Sequence, residues 1–198
     1  MLFHYHYWTP YLEETELFYR KLGFRVTQRI GKENGEFQTF SPPLDWNDFR
    51  NRKIVFRIIE LKKGAINITF GYGKRIRFDH IGFLIGDEEY HQICQQATQQ
   101  NWNVEEGERR TFLYSPCKWK VELQTNMDAI DDVNGVSIEG MNVVGNNVDI
   151  LIKILGEKMT PLTIQAGDDF RVEEVRFSTV CPNVILDPNG VNLLGVER

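Results

Sequence analysis

Hydrophobic and polar residues alternate in short runs along most of the chain, and turn-forming residues separate these runs. A period of two is typical of strands with one buried face, whereas apolar residues three or four positions apart indicate helices. The predicted strands cover 2–8, 24–30, 53–61, 65–70, 78–85, 101–104, 111–114, 119–124, 137–144, 162–165, 171–177 and 191–196. The predicted helices run from Pro10 to the stop at Gly23, from Asp87 as the N-cap to Gln100, and over 147–155.

The order of these elements repeats along the chain. A strand, a helix and three further strands recur with a period of about 60 residues, as in proteins built from repeated units. This order predicts an α+β fold of βαβββ modules, with two paired modules at 1–72 and 77–126 and a third, degenerate module in 136–198. Residues 37–52 are predicted to form a loop, because a Pro42-Pro43 pair cannot lie inside a central strand.

Composition and charge limit the classes of function. The chain has 198 residues, of which 41% are hydrophobic and 26% charged, and its net charge of −5 gives no basic stripe for nucleic acid. No apolar run reaches the roughly 18 residues that span a bilayer, and the N-terminus lacks the features of a secretory signal. Three widely spaced cysteines fit neither a disulfide framework nor a zinc ribbon, so we expect a cytoplasmic protein.

Candidate chemistry lies on the polar faces of four predicted strands. His4 and His6 share one face of the first strand, because alternate residues of a strand point the same way. His80 lies in the first strand of the second unit, and Asn67 and Glu122 lie on polar faces of the strands that close the two units. If helices pack on the apolar faces, these side chains share a cavity, and two imidazoles with a carboxylate suit Fe(II), Mn(II), Zn(II) or Ni(II).

The same alternation divides the neighbours of His80 between two faces. The residues predicted on its own face are Phe78, Gly82 and Leu84, and those predicted on the opposite face are Ile81, Phe83 and Ile85.

Several segments resemble the glyoxalase, bleomycin-resistance and extradiol-dioxygenase superfamily, also called the vicinal oxygen chelate proteins. Residues 17–26, LFYRKLGFRV, are similar to its first helix and second strand, and residues 78–85, FDHIGFLI, to the strand that opens a second module. Residues 121–124, VELQ, resemble a closing strand, and 187–191, DPNGV, a closing turn. The resemblance implies paired modules in an open cup around a divalent metal.

The resemblance also implies a ligand set from the first and last strands of each module. His4 takes the first position, with His6 as the competing residue, and His80 and Glu122 take the two positions of the second module. The fourth position, a glutamate in glyoxalases, falls on Asn67 if 65–70 closes the first module, and on Glu60 if 53–61 does. The third unit offers no ligand set, with Glu139 at the histidine position and Leu194 at the carboxylate position. It packs structurally, pairs with a copy in a homodimer or covers the sheet edge.

Two functions follow from the resemblance. The first is a metal-dependent enzyme, a dioxygenase, lyase or isomerase, that acts on a small molecule with vicinal oxygens, with Glu122 and Tyr114 as catalytic candidates and Arg57 and Glu60 as weaker ones. The second is a metal-free protein that sequesters a planar or cationic ligand of the antibiotic type in an aromatic groove, by stacking and cation–π contact. The aromatic residues available for that groove are Tyr7, Trp8, Phe40, Trp46 and Trp119.

Overall fold

The computed structural model describes residues 1–178 and 184–196. The strands are β1 Leu2–Thr9, β2 Arg25–Glu33, β3 Glu36–Thr39, β4 Ile54–Lys63, β5 Ile66–Tyr72, β6 Arg77–Leu84, β7 Asn103–Glu106, β8 Thr111–Tyr114, β9 Lys120–Gln124, β10 Ile138–Gly145, β11 Leu162–Ala166, β12 Arg171–Ser178, β13 Ile185–Leu186 and β14 Asn192–Val196. The helices are α1 Leu12–Lys21, α2 Trp46–Phe49, α3 Asp87–Gln99 and α4 Val148–Leu155, with short 3₁₀ helices at Met127–Ala129 and Gly156–Met159. Cys181 lies outside the described residues, and Cys94 and Cys117 are free thiols.

The strands of the first two units form one nine-stranded sheet in the order β3-β2-β4-β5-β1-β6-β9-β8-β7. The opening strands β1 and β6 lie antiparallel at its centre, and each pairs in parallel with the last strand of its own unit, β5 or β9. The strand that closes the first unit is therefore β5 and not β4. This pairing brings the first and last strands of both units together in the middle of the sheet.

The two faces of this sheet differ in chemistry. Tyr5 and Tyr7 of β1 lie in a continuous apolar core that also contains side chains of α1 and of the second sheet, such as Tyr19 and Phe177. Phe24 and Phe177 bring the two sheets into ring contact at 6.1 Å, and the Tyr19 hydroxyl donates to Asp187 Oδ2 at 2.9 Å. The opposite face carries His4, His6 and His80, whose rings contact one another.

Two β-bulges modify the central strands. Leu2 and His4 of β1 pair with Phe83 and Gly82 of β6, so Phe3 is an extra residue in β1. His6 and Tyr7 pair with His80 and Phe78, so Asp79 is an extra residue in β6. A bulge interrupts the alternation of faces, and it places Phe78 against Tyr7 in the core instead of beside His80, as the alternation had predicted.

The second, five-stranded sheet has the order β11-β10-β12-β14-β13 and repeats this central arrangement. Here β10 pairs in parallel with β11 and antiparallel with β12, and β12 pairs in parallel with β14. Its bulges fall at the matching places, on Glu139 and Glu173. The register therefore matches His4 to Gly140, not to Glu139 as the sequence predicted, and it matches Glu122 to Leu194.

Local signals explain two further departures from the sequence predictions. Residues 37–52 contain β3 and α2, because Asn34-Gly35 with positive φ angles turns β2 into β3, and Asp45 caps α2 through a reciprocal capping box with Asp48. Helix α3 begins at Asp87 with Gly86 as its N-cap. No helix within the described residues is long and apolar enough to cross a membrane.

Candidate metal centre

Three buried side chains converge on the concave face of the nine-stranded sheet. His4 Nε2 lies 3.2 Å from His80 Nε2, and Glu122 Oε2 lies 3.3 Å from His80 Nε2 and 3.9 Å from His4 Nε2. The exposed fractions of these three residues are 2%, 4% and 3%. They are the group of histidine, cysteine or acidic residues within the described chain whose ligand atoms lie close enough to hold one metal ion.

The other nitrogen of each ring has an oxygen acceptor. His4 Nδ1 lies 3.0 Å from the Asn67 carbonyl and 3.2 Å from Asn67 Oδ1, and His80 Nδ1 lies 2.8 Å from Asp79 Oδ2. His80 Nδ1 lies nearer its acceptor, at 2.8 Å, than Nε2 lies to Glu122 Oε2, at 3.3 Å, and this difference favours the tautomer with the proton on Nδ1 and the lone pair on Nε2. Both lone pairs and the Glu122 carboxylate therefore face one another, an arrangement that a bound cation stabilises.

The spacing of the three atoms is close to that of ligands around one ion. Ligands about 2.1 Å from a metal and 90–110° apart lie roughly 3.0–3.4 Å from one another. The His4–His80 and His80–Glu122 distances of 3.2 and 3.3 Å fall in this interval. The His4–Glu122 distance of 3.9 Å is longer, by an amount that a small rotation of the Glu122 side chain can close. The donor set therefore fits a divalent metal.

Burial and charge favour the protonation states that a metal requires. Burial lowers the pKa of His4 to about 4, although the nearby Glu122 opposes this shift, so the imidazole is neutral near pH 7. Burial alone would raise the pKa of Glu122, but the His4 and His80 rings and the Arg110 guanidinium lower it to about 2. A neutral imidazole and an ionised carboxylate are the forms that bind metal.

Close packing holds the two rings in place. A Cβ atom added to Gly82 would lie 2.9 Å from His4 Cβ, so glycine at this position gives the His4 side chain its space. The bulge places Phe3 beside His4, with the two ring centroids 5.5 Å apart. Phe112 packs edge-on against the His80 ring, with a centroid separation of 5.1 Å. The rings thus have little freedom to turn away from each other.

The other ligand candidates, His6, Asn67 and Glu60, lie beside the three converging side chains and not among them. His6 is not a member of the converging group. Its ring stacks on that of His80 with the centroids 5.1 Å apart, and its Nδ1 forms a hydrogen bond of 2.6 Å with Thr69 Oγ1. Asn67 of the closing strand β5 directs its amide to the Nδ1 side of His4. The Asn67 Nδ2 donates to Glu60 Oε2 at 3.0 Å, so Glu60 supports the first ligand through Asn67.

A cavity of about 720 Å³ is lined by His4 and Glu122 of the converging group, and His80 is not among its described lining residues. Its size is typical of pockets that enclose a small molecule. Both acidic and basic side chains line it. Among them, Arg110 has one guanidinium nitrogen 3.4 Å from Glu122 Oε2, and the centre of its guanidinium group lies 5.4 Å from the centroid of the Phe112 ring. Phe3 and Phe112 are the aromatic side chains among the described lining residues.

The remaining candidates lie elsewhere. Tyr114 is not among the described residues that line the cavity, and burial raises the pKa of its hydroxyl. The Arg57 guanidinium lies 5.0 Å from the Trp8 ring in a separate cavity of about 320 Å³. Tyr7, Phe40 and Trp119, three of the residues predicted for an aromatic groove, are core residues. Neither Trp8 nor Trp46 is among the described residues that line the large cavity.

Sequence reasoning missed three residues that contact the centre. Phe3 and Asp79 escaped notice because strict alternation places them on the opposite face from the histidines that follow them, and only the bulges reverse this. Arg110 carries no local sequence signal that distinguishes it from a solvated surface residue. Its short distance from Glu122 depends on the pairing of β8 with β9, which the sequence does not specify.

Comparison with known proteins identifies the fold. No family model and no curated protein matches the sequence. The 2,3-dioxygenase LapB from Pseudomonas sp. KL28 is 13% identical with a TM-score of 0.62, over 98% of this chain and 90% of that one. The 2,2′,3-trihydroxybiphenyl 1,2-dioxygenase from Sphingomonas wittichii strain RW1 is 10% identical with a TM-score of 0.61, and the match covers 98% of this chain and 89% of that one. Homoprotocatechuate 2,3-dioxygenase from Arthrobacter globiformis is 11% identical with a TM-score of 0.58, over 98% and 79%.

These structural neighbours confirm the predicted fold class. The chain has the fold of the extradiol dioxygenases, which belong to the vicinal oxygen chelate superfamily. Because the identities lie between 10% and 13%, this likeness concerns the fold alone.

Proposed function

We propose that the chain is a metal-dependent enzyme of the dioxygenase type that acts on a small molecule with two vicinal oxygens. His4 Nε2, His80 Nε2 and the Glu122 carboxylate would hold one divalent ion. The observation that carries the proposal is the convergence of these three buried atoms, with a separate acceptor for each Nδ1. Two histidines and one carboxylate suit Fe(II) foremost, with Mn(II), Zn(II) and Ni(II) as the other candidates.

The residues around the centre support this chemistry. A bound ion would polarise both substrate oxygens as a Lewis acid. The Arg110 guanidinium adds a positive charge to the lining of the cavity, where it would stabilise an anionic oxygen of the substrate. The partly exposed Phe112 ring, which lines the cavity and contacts the His80 ring, would offer apolar surface to a planar substrate.

The proposal also assigns roles to the two parts of the chain. Residues 1–126 would carry the site, and 136–198 would cover the apolar face of the larger sheet, with the homodimer as an alternative use of that unit. Cytoplasmic location and the catalytic role of Tyr114 also stay predictions.

Metal content provides the first test. Tag-free protein, purified without chelators, should contain close to one equivalent of metal by elemental mass spectrometry, or gain it on titration under anaerobic conditions. His80→Ala and Glu122→Ala should lose this metal, whereas His91→Ala, a change at an exposed position of α3, should keep it. Equal metal content in all four proteins, or none in the parent after titration, would contradict the proposal and favour the metal-free binding function.

Substrate turnover provides the second test. Oxygen uptake by the Fe(II)-loaded protein should be measured with a series of catechols, the class suggested by the names of the structural neighbours. A parallel assay of hemithioacetal isomerisation separates dioxygenase from glyoxalase chemistry. Uptake that requires both His80 and Arg110 supports the proposal, and isomerisation without oxygen uptake contradicts its dioxygenase part.

A further inference from the structure

Asp79 accepts hydrogen bonds from side chains of three strands. Its Oδ2 accepts from His80 Nδ1 at 2.8 Å and from Lys120 Nζ at 2.9 Å, and its Oδ1 accepts from Trp8 Nε1 at 2.8 Å. Arg77 adds a positive charge 3.6 Å from Oδ1. With 15% of its side chain exposed, Asp79 is a largely buried carboxylate whose neighbours all favour its ionised form.

The bulge in β6 is the reason that this carboxylate reaches His80. Consecutive residues of a regular strand point to opposite faces, so without the bulge Asp79 would point into the apolar core beside Tyr7. The register shift inserts Asp79 as the extra residue and turns its side chain to the face of His80. The local backbone therefore places a carboxylate behind the ring, and not merely on the same strand.

The first module uses a different acceptor at the matching position. Phe3 is the bulged residue before His4, and the Nδ1 of His4 bonds to the backbone carbonyl of Asn67. A backbone carbonyl is fixed by the sheet, whereas a carboxylate acceptor needs partners of its own. Trp8 and Lys120 supply those partners for Asp79.

We propose that Asp79 is a positioning residue for His80, with its Oδ1 held by Trp8, whereas the Lys120 ion pair at Oδ2 is not needed for its position. Asp79 keeps the ring proton on Nδ1, fixes the plane of the ring and thereby directs the Nε2 lone pair at the centre. A carboxylate acceptor also raises the basicity of the ligand nitrogen. This inference rests on the proposed metal site, but its effect on the ring tautomer is a property of the metal-free chain.

The competing explanation is that Asp79 serves only in an ion pair with Lys120, and matched variants distinguish the two. Asp79→Ala removes the acceptor, Asp79→Asn keeps an oxygen without the charge, and Lys120→Met removes the ion pair but leaves the bond to His80. Zn(II) affinity, measured by competition with a chromophoric chelator, should fall about 10- to 100-fold in Asp79→Ala, the usual effect of losing such a partner. Asp79→Asn should lose less, and Lys120→Met should stay within about threefold of the parent, as expected for an ion pair in contact with solvent.

The ring tautomer provides a readout that a purely structural role would not change. The chain has four histidines, so imidazole ¹H–¹⁵N spectra of the metal-free protein can be assigned with single substitutions. At about pH 8, above the ordinary histidine pKa, His80 should carry its proton on Nδ1 in the parent and in Lys120→Met, and lose this preference in Asp79→Ala. Circular dichroism of each variant confirms that it is folded.

The outcomes separate this inference from the proposed function. An unchanged His80 tautomer and unchanged Zn(II) affinity in Asp79→Ala would overturn the positioning role. If Lys120→Met lost as much Zn(II) affinity as Asp79→Ala while the His80 tautomer stayed the same, the role of Asp79 would be the ion pair with Lys120 alone. If the parent binds no metal the proposed function fails, and the tautomer alone then decides the role of Asp79.

Discussion

The substitution Gly82→Ala should disturb the centre although Gly82 contributes no ligand atom. The added Cβ would lie 2.9 Å from His4 Cβ, and 3.1 Å from both His4 Cδ2 and a carbon of the Phe3 ring. Ordinary carbon–carbon contacts are about 3.5–4.0 Å, so His4 must retreat by roughly 0.6–1 Å. Cβ is rigidly tied to the backbone and cannot avoid the contact by rotation, so the strand itself must shift.

Both stability and metal affinity should report this displacement. Overpacking of a dense core costs about 1–3 kcal/mol, which urea unfolding of the metal-free protein can measure. A ligand must stay within about 0.5 Å of its productive position, so Zn(II) affinity should fall about 10-fold or more.

Gly86→Ala provides the matched control, because a Cβ at Gly86 meets no atom within 4 Å. Its position as the N-cap of α3 limits the expected loss to about 1 kcal/mol, with unchanged metal affinity. If Gly82→Ala matched the parent in both measurements, the close approach of β1 and β6 would have no role in holding His4.

Two further predictions concern stability. Glu16→Ala should destabilise the chain by about 3–5 kcal/mol in urea unfolding, because it leaves the buried Arg29 guanidinium without the carboxylate that it contacts twice at 2.7 Å; a loss below 1 kcal/mol would contradict this. The metal-free protein should lose stability as the pH falls from 6.5 through 4, because burial lowers the pKa of His4 to about 4 and the unfolded chain takes up the proton first. The shift corresponds to ~3 kcal/mol, and an equally steep pH profile in His4→Gln would assign the loss to other groups.

Much of the fold could be predicted because its signals are local. Alternation, the Pro10 break and the Gly23 stop specify β1, α1 and β2 within a few residues, and the repeated order of elements indicates paired modules. His4, His80 and Glu122 could be predicted as neighbours because they lie on polar strand faces and match the positions of a known ligand set.

The bulges could not be predicted, because they depend on register between strands. A single extra residue in β6 moves Phe78 into the core and brings Asp79 to the site, and nothing in the local pattern distinguishes this from an ordinary strand. The choice between Asn67 and Glu60 was open for a related reason. It required the knowledge that β5, and not β4, pairs with β1.

The two sheets together explain why we expect one metal ion per chain and not two. In the smaller sheet Gly140 stands at the place of His4, and Arg176 stands opposite it at the place of Gly82. A Cβ at Gly140 would lie 2.2 Å from an Arg176 guanidinium nitrogen. Each sheet therefore pairs one glycine with one large side chain at this place. The glycine is on the second strand of the pair in the larger sheet (Gly82) and on the first strand in the smaller sheet (Gly140).

The reversal changes what the second site can hold. Arg176 lies against Gly140 and donates to Glu174 Oε1 at 2.5 Å and to Asn142 Oδ1 at 3.2 Å, and these acceptors stand at the places of His80 and His6. The place of Glu122 is taken by the apolar Leu194. The protein's own guanidinium thus provides the positive charge there. In the larger sheet, Gly82 leaves the corresponding space to His4, so under the proposed function the positive charge of that site would come from a cation in solution.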